Sequence, residues 1–239
     1  MKFKKMDQIP EKLIKLLQNV DTPTVCNAIE VAEGQRGFNR FTRGTMLHCR
    51  PGMPAMVGRA RTAKISGQKP PIEPSEIIKE RRLDYFRAMA RGPGPTVAVV
   101  EDLDHPNCIA GWWGEVHVAV HKGLGLKGAL TNGVMRDLDV IDDGFPILAG
   151  SIGPSHGFVH VRELKTEVTV NGMRVKEDEF IHADRHGAIV IPEEVIPHLE
   201  NAIATVIKNE KIILTPAREP NFNIEKLESA WAEFEAART

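Results

Sequence analysis

The segment GLKGALTNGVMRDLDV carries the residue pair best suited to chemistry, Arg136 followed by Asp137 after a strand-like run. Asp137 offers the hard carboxylate oxygen that Mg²⁺ or Mn²⁺ prefers. Arg136 offers a planar fork of N–H donors that fits a carboxylate or a developing enolate oxygen. Adjacent on one turn, the two can serve a single oxyanion from two sides. The plainer reading is a surface ion pair. Upstream, GWWGEVH sets Glu115 beside Trp113, where apolar bulk can raise a carboxyl pKa and suit it to proton transfer. The plainer reading is a helix N-terminal Glu stabilised by the dipole. Gly114, Glu115, Val116 and His117 read as a helix start, whose free N–H groups attract a carboxylate. Glycines 111, 114, 123, 125, 128 and 133 bracket the stretch, either as anion-holding turns or as simple connections.

Other residues offer less. His117 and His121 stand four apart on a helix, but the pattern is not HExxH. Asp102, Asp104 and His105 follow a buried strand. They can bind a metal through outer waters or solvate a loop, and the loop is the preferred reading. His156, His160, His182 and His186 lack ligand spacing and read as structural or rim residues. There is no GxGxxG and no GxxxxGK[ST], so no nucleotide loop is expected. Cys26, Cys49 and Cys108 are odd in number and have no metal-ligand spacing, which suits small buried thiols in a reducing cytoplasm.

Length and charge narrow the class. A chain of 239 residues with 42% hydrophobic and 26% charged residues is of ordinary globular composition. A formal net charge of −1 and scattered Lys and Arg give no concentrated basic surface for nucleic acid. MKFKK at the start and Lys79, Arg81 and Arg82 are the nearest approach to a patch, and they read as a charged terminus and a solvated helix face. No run reaches the roughly 20 apolar residues that cross a bilayer. A cytoplasmic protein without nucleic-acid or membrane partners is expected.

The elements that must position these residues alternate irregularly. EKLIKLLQNV is expected as a helix, and a second follows, capped by Asp21, Thr22 or Thr24 with Pro23 in its first turn. Residues 31–54, rich in Gly and Pro, read as loop. MPAMVGRARTAKI reads as a strand, IIKERRLDYFRAMARG as a helix ending at Gly92, and Thr96 to Val100 as a buried strand. A helix after GWWG is expected to pack Val116, Val118 and Val120 or nearby residues. GALTNG and FPILAG read as strands. The stretch from GFVHV to AIVIP reads as short β-segments, with Asn171–Gly172 as a hairpin turn and a second turn at residues 184–187. Helices follow from Glu193, and EKLESAWAEFEAAR forms a terminal one. One mixed α/β domain over 1–239 is expected, with a core at about 20–210 and a helical tail at about 220–238.

At this point the sequence resembles the RraA-like family, which includes 4-hydroxy-4-methyl-2-oxoglutarate aldolases and the regulator of ribonuclease activity A. The matching segments are TVCNAI, MVGRARTAK, GWWGEV, GLGLKGALTNGVMRDLDVI, FPILA and VKEDEFIHADRHGAIVIP. The resemblance implies a layered α/β/β sandwich of the swivelling-domain-like type, assembled as a homotrimer or homohexamer. It implies a Mg²⁺- or Mn²⁺-dependent class II aldolase that releases pyruvate from a 4-hydroxy-2-oxo acid, with oxaloacetate decarboxylation as a side activity. It further implies metal at Asp137, substrate at Arg136, carboxylate binding by the Gly114–His117 backbone, and proton transfer at Glu115. Glu210 is its match for a glutamate reaching in from a neighbouring subunit. Lys122 and Lys127 need form no Schiff base. The sequence departs from the family pattern at Asn27, Asn132, Glu177 and the Trp112–Trp113 pair. Two other readings stand beside the lyase: a non-catalytic ribonuclease regulator, and a metal-dependent enzyme acting on another hydroxy or sugar acid.

Overall fold

The structure is a computed structural model that describes residues 8–141 and 144–237. The basic MKFKK start lies outside the described residues. In chain order the elements are α1 (Glu11–Gln18), α2 (Thr22–Glu33), β1 (Leu47–His48), β2 (Met56–Ser66), α3 (Ser75–Met89), β3 (Thr96–Asp102), β4 (Gly111–Trp113), α4 (Glu115–Gly123), β5 (Ala129–Thr131), β6 (Val134–Met135), β7 (Ile147–Ala149), β8 (Ser151–Ile152), β9 (His160–Leu164), β10 (Val168–Val170), β11 (Met173–Val175), β12 (Phe180–Asp184), β13 (Gly187–Ile191), a 3-10 helix (Glu193–His198), α5 (Leu199–Ala217) and α6 (Ile224–Ala236). Two compact units contain them: residues 1–22 with 39–193, and residues 23–38 with 194–239.

The first unit is built on an eight-stranded mixed sheet. Its centre is parallel, with β2 beside β3, β3 beside β5 and β5 beside β7. One edge of β2 is shared: β12 pairs antiparallel with Met56–Arg59, and β9 with Ala63–Ser66. Strands in such a position are covered on both faces, and TVAVVED is apolar enough for that. Successive side chains alternate between faces. Ala98 and Val100 join a core with Tyr85 and Met89 of α3, Val118 of α4, and Trp112 and Trp113 of β4. Val97 and Val99 join the opposite core with Val168, Val170, Met173 and Val175 of the β10–β11 hairpin. Helices, sheet and hairpin are thus stacked in layers, the expected mixed α/β class.

The hairpin turn is as the sequence required: Asn171 and Gly172 have φ 45° and 76°, and Val170 pairs with Met173. Both positions of this tight turn need positive φ, which Asn and Gly tolerate. One expectation holds only in part. On α4 the buried residues are Val118 and His121, while Val116 is 68% exposed and Val120 is also exposed. The valines at alternate positions mark no single helical face, since neighbours on a helix face are three or four apart. Two arginines inside β2 are matched by carboxylates: Arg59 pairs with Glu193, and Arg61 with Asp178. Glu177 accepts hydrogen bonds from the Thr62 N–H at 2.7 Å and the Thr62 hydroxyl at 2.9 Å, so this departure has a structural use.

The second unit holds most of α2 together with α5 and α6. Asn223 caps α6 by accepting from the Lys226 N–H at 3.0 Å. The Asn209 amide on α5 donates to the Ala237 carbonyl, joining the far end of α6 to α5. The expected terminal helix is present through Ala236; Arg238 lies outside the described residues. No described helix is long and apolar enough to cross a membrane.

Candidate functional site

A second, three-stranded sheet in the first unit explains why two distant segments meet. β4, β6 and β8 run parallel, with Gly111 opposite Val134 and Trp113 opposite Met135. Segments that leave neighbouring parallel strands emerge at the same, C-terminal end, the usual place for ligands in open α/β sheets. Gly114–Glu115 therefore lies beside Arg136–Asp137. The Arg136 N–H donates to the Trp113 carbonyl at 2.8 Å, extending the pairing by one residue.

Asp137 is the centre of this junction. It has φ 58°, a left-handed conformation uncommon for a residue with a side chain but tolerated by Asp. Its carbonyl accepts from the Val140 and Ile141 N–H groups, which fixes the turn. One carboxylate oxygen accepts from the Glu115 N–H at 3.2 Å, and the other from Arg136 Nη1 at 3.2 Å. Glu115 opens α4 after Gly114, so the carboxylate sits on the positive end of a helix. The Val116 and His117 N–H groups belong to the same first turn, whose amides have no acceptor within the helix.

Gly114 and Gly111 make room for this packing. A Cβ on Gly114 would lie 2.4 Å from Asp137 Oδ2 and 3.1 Å from Arg136 Cγ. A Cβ on Gly111 would lie 2.9 Å from Arg136 Cδ. The backbone at Gly114 is extended, so the cost of a substitution there is steric. Gly114→Ala is expected to leave the fold intact, because the carboxylate can swing aside, but to break the hydrogen bond between the Asp137 carboxylate and the Glu115 N–H. The amide-proton resonance of Glu115 beside a melting curve checks this.

Glu115 differs from expectation in its setting. Trp113 is wholly buried, whereas Glu115 is exposed, so the tryptophan does not shield its carboxyl. Glu115 stands next to the Asp137 carboxylate with access to water. Glu210 lies on α5 in the second unit, half-buried. Among the described residues, no group of three or more His, Cys, Asp or Glu can hold a metal ion.

Behind the junction lies a chain of buried hydrogen bonds that the sequence did not reveal. Trp112 Nε1 donates to Tyr85 Oη at 3.3 Å, and Tyr85 Oη is 2.6 Å from His121 Nε2. His121 Nδ1 meets the His117 carbonyl. All four groups are satisfied if Tyr85 donates to Nε2 and His121 donates from Nδ1. His121 is therefore a core residue. The long gap between Tyr85 and His121 in the chain is why no motif announced it. Burial pushes the His121 pKa down to about 4 and that of His117 down to about 3, with His121, Arg82 and Arg136 adding to the effect on His117. Both rings are neutral in the folded protein but titrate near pH 6.5 once unfolded. The unfolded chain therefore binds more protons below that pH, and stability falls as pH drops from about 6.5 towards 4. The expected loss is about 1.4 kcal/mol per pH unit for each histidine, read as a falling melting temperature.

The remaining candidates are structural. Asp104 accepts from the Gly67 N–H at 2.6 Å, the Gln68 N–H at 3.0 Å and the Ser66 hydroxyl, so it closes a loop. Asp102 is buried, and burial raises its carboxyl pKa. Asn132 accepts from the Asp102 N–H at 2.7 Å and donates to the Asp102 carbonyl at 3.1 Å. An aspartate at 132 would set its charge against that carbonyl, which accounts for the amide. His182 is held by Thr22 and the Leu17 carbonyl, and His186 by Asp184. Arg81 pairs with Glu73, and Arg87 with Glu80 and Asp84, so α3 presents mixed charge. None of the three cysteines is in a disulfide.

Comparison with known proteins adds an independent view. A family model described as RraA-like, Aldolase/RraA, matches residues 22–190. No curated protein matches the chain. An uncharacterized protein from Pseudomonas syringae pv. tomato str. DC3000 is 18% identical with a TM-score of 0.67, covering 98% of this chain and 99% of its own. A structure described as novel cellulases from microbes associated with the gut ecosystem is 20% identical with a TM-score of 0.69, covering 87% and 90%. RraAS2 from Streptomyces coelicolor, an unusual member of the RNase ES inhibitor RraA protein family, is 18% identical with a TM-score of 0.63, covering 91% and 100%. At these identities the likeness is one of fold.

Proposed function

This chain belongs to the RraA-like family, and from that premise we propose that it is a divalent-metal-dependent carbon–carbon lyase, cleaving a 4-hydroxy-2-oxo acid to release pyruvate. The observation that carries the reading is the Asp137 carboxylate held in left-handed backbone between the Arg136 guanidinium and the first amide of α4. Strained backbone of this kind clusters at functional sites. The family description spans aldolase and RraA members, and the presence of Glu115, Arg136 and Asp137 together favours the enzyme.

The residues divide the work. Within the Gly114–His117 segment, the Glu115 amide holds Asp137, and the neighbouring first-turn amides of Val116 and His117 bind the substrate carboxylate at the positive end of the helix. Arg136 hydrogen-bonds the 2-oxo oxygen and stabilises the negative charge that grows there as the carbon–carbon bond breaks. Glu115, exposed and adjacent, moves the proton directly or through one water. Mg²⁺ and Mn²⁺ keep several waters and need only one or two carboxylates, so Asp137, with Glu115 reaching through water, is a fitting donor set. A cation there would supply Lewis-acid polarisation of the 2-oxo group. Loss of CO₂ from oxaloacetate develops charge on the same oxygen, so decarboxylation is a natural second activity. A homotrimer or homohexamer would let Glu210 of one copy approach the site of another.

The test is pyruvate release from 4-hydroxy-4-methyl-2-oxoglutarate and from oxaloacetate, before and after chelation and with Mn²⁺ restored. Turnover that disappears and returns supports the lyase. Its absence on both substrates sinks it.

A further inference from the structure

Two histidines sit one turn apart on α4, and they are not equivalent. His121 has both ring nitrogens matched, by Tyr85 and by the His117 carbonyl. His117 does not: its Nδ1 is buried without a partner among the described residues. Arg136 Nε is in the same condition. Buried polar atoms are nearly always paired, and leaving one unpaired is costly.

The ring of His117 is held in place by aromatic neighbours. Its centroid lies 4.1 Å from that of Trp112 in an edge-on contact, 5.8 Å from Phe86 and 5.7 Å from His121. His117 is in the first turn of α4, and helical side chains lean towards the N-terminus, which here is the end bearing Asp137. The Arg136 stem crosses Gly111, next to Trp112 in the chain, and its charge reaches the imidazole. Arg82, exposed on α3 one turn before Phe86, also acts on His117. A neutral ring with an unmatched nitrogen, beside the Arg136 stem at Gly111–Trp112, suits an anionic oxygen.

We propose that the His117 imidazole is a further substrate contact, its Nδ1–H and Arg136 Nε–H hydrogen-bonding one anionic oxygen of the bound acid. The inference rests on the lyase reading for the identity of that acid. It adds a side chain to a segment otherwise used only through its backbone.

The experiment is calorimetric titration with oxalate, a planar dianion resembling the pyruvate enolate, in the presence of Mg²⁺. His117→Phe keeps a ring against Trp112 and Phe86 but removes the nitrogen. His117→Asn restores an amide near the Nδ1 position. Oxalate binding is expected to weaken roughly 10-fold in His117→Phe and to recover to within about 3-fold of wild type in His117→Asn. In the wild-type protein the Nδ1 nitrogen resonance of His117 shifts on oxalate addition, which tests the contact even if a variant fails to fold. Wild-type binding that His117→Phe leaves unchanged, or an unmoved resonance, overturns this proposal alone. No oxalate binding by the wild type overturns it together with the lyase reading.

Discussion

Replacing Asp137 by Asn is expected to remove metal-dependent pyruvate release almost entirely, by roughly 10³-fold or more in kcat, while leaving the melting temperature nearly unchanged. Asn is the informative substitution. Like Asp, it tolerates the left-handed backbone at φ 58°, and its amide oxygen can still accept from the Glu115 N–H. Only the charge is lost, and with it the hard anionic ligand. Asp137→Ala should abolish turnover too, but it also forces an ordinary side chain into a left-handed turn, at a cost of about 1 kcal/mol. A smaller melting-temperature loss in Asn than in Ala would separate chemistry from strain. Full activity in the Asn variant would contradict the assigned role.

The second large effect is at Arg136. Arg136→Ala is expected to lower kcat by roughly 10²–10³-fold and to raise KM as well, because its target oxygen carries some charge in the ground state and more in the transition state. Arg136→Lys should recover little, since a lysine is a point charge without the fixed fork. The side chain is about one-third exposed and pairs with its own neighbour at 3.2 Å, so its removal should cost little stability. Initial-rate kinetics over a substrate range separates the two parameters. A variant altered in KM alone would assign Arg136 to ground-state binding.

Much of the fold is legible in the sequence because its parts are local. The Asn171–Gly172 turn, the buried strand at Thr96 and the helix after GWWG each have short-range causes. Arg136–Asp137 and Gly114–His117 were visible as residue types, but as types they also fit a surface ion pair and an ordinary helix start. The parallel pairing of β4 with β6 brings them together, and it links strands of two or three residues that no periodicity marks. The buried face of α4 has a related cause. Valine spacing suggested an apolar face, whereas burial followed the 3–4 spacing of Val118 and His121. A histidine is accepted there because Tyr85, far away in sequence, satisfies it. The exposure of Glu115 was equally hidden, since adjacency to Trp113 in the chain says nothing about which way each residue turns.

A crystal structure with Mn²⁺ and oxalate bound, read by the anomalous signal of manganese, tests the roles of Asp137 and Arg136 directly. A single strong peak is expected within direct ligand distance of an Asp137 oxygen, roughly 2.1 Å, with oxalate lying between Arg136 and the first-turn amides of α4. Manganese bound elsewhere, or oxalate that leaves Arg136 and Asp137 untouched, would contradict these roles.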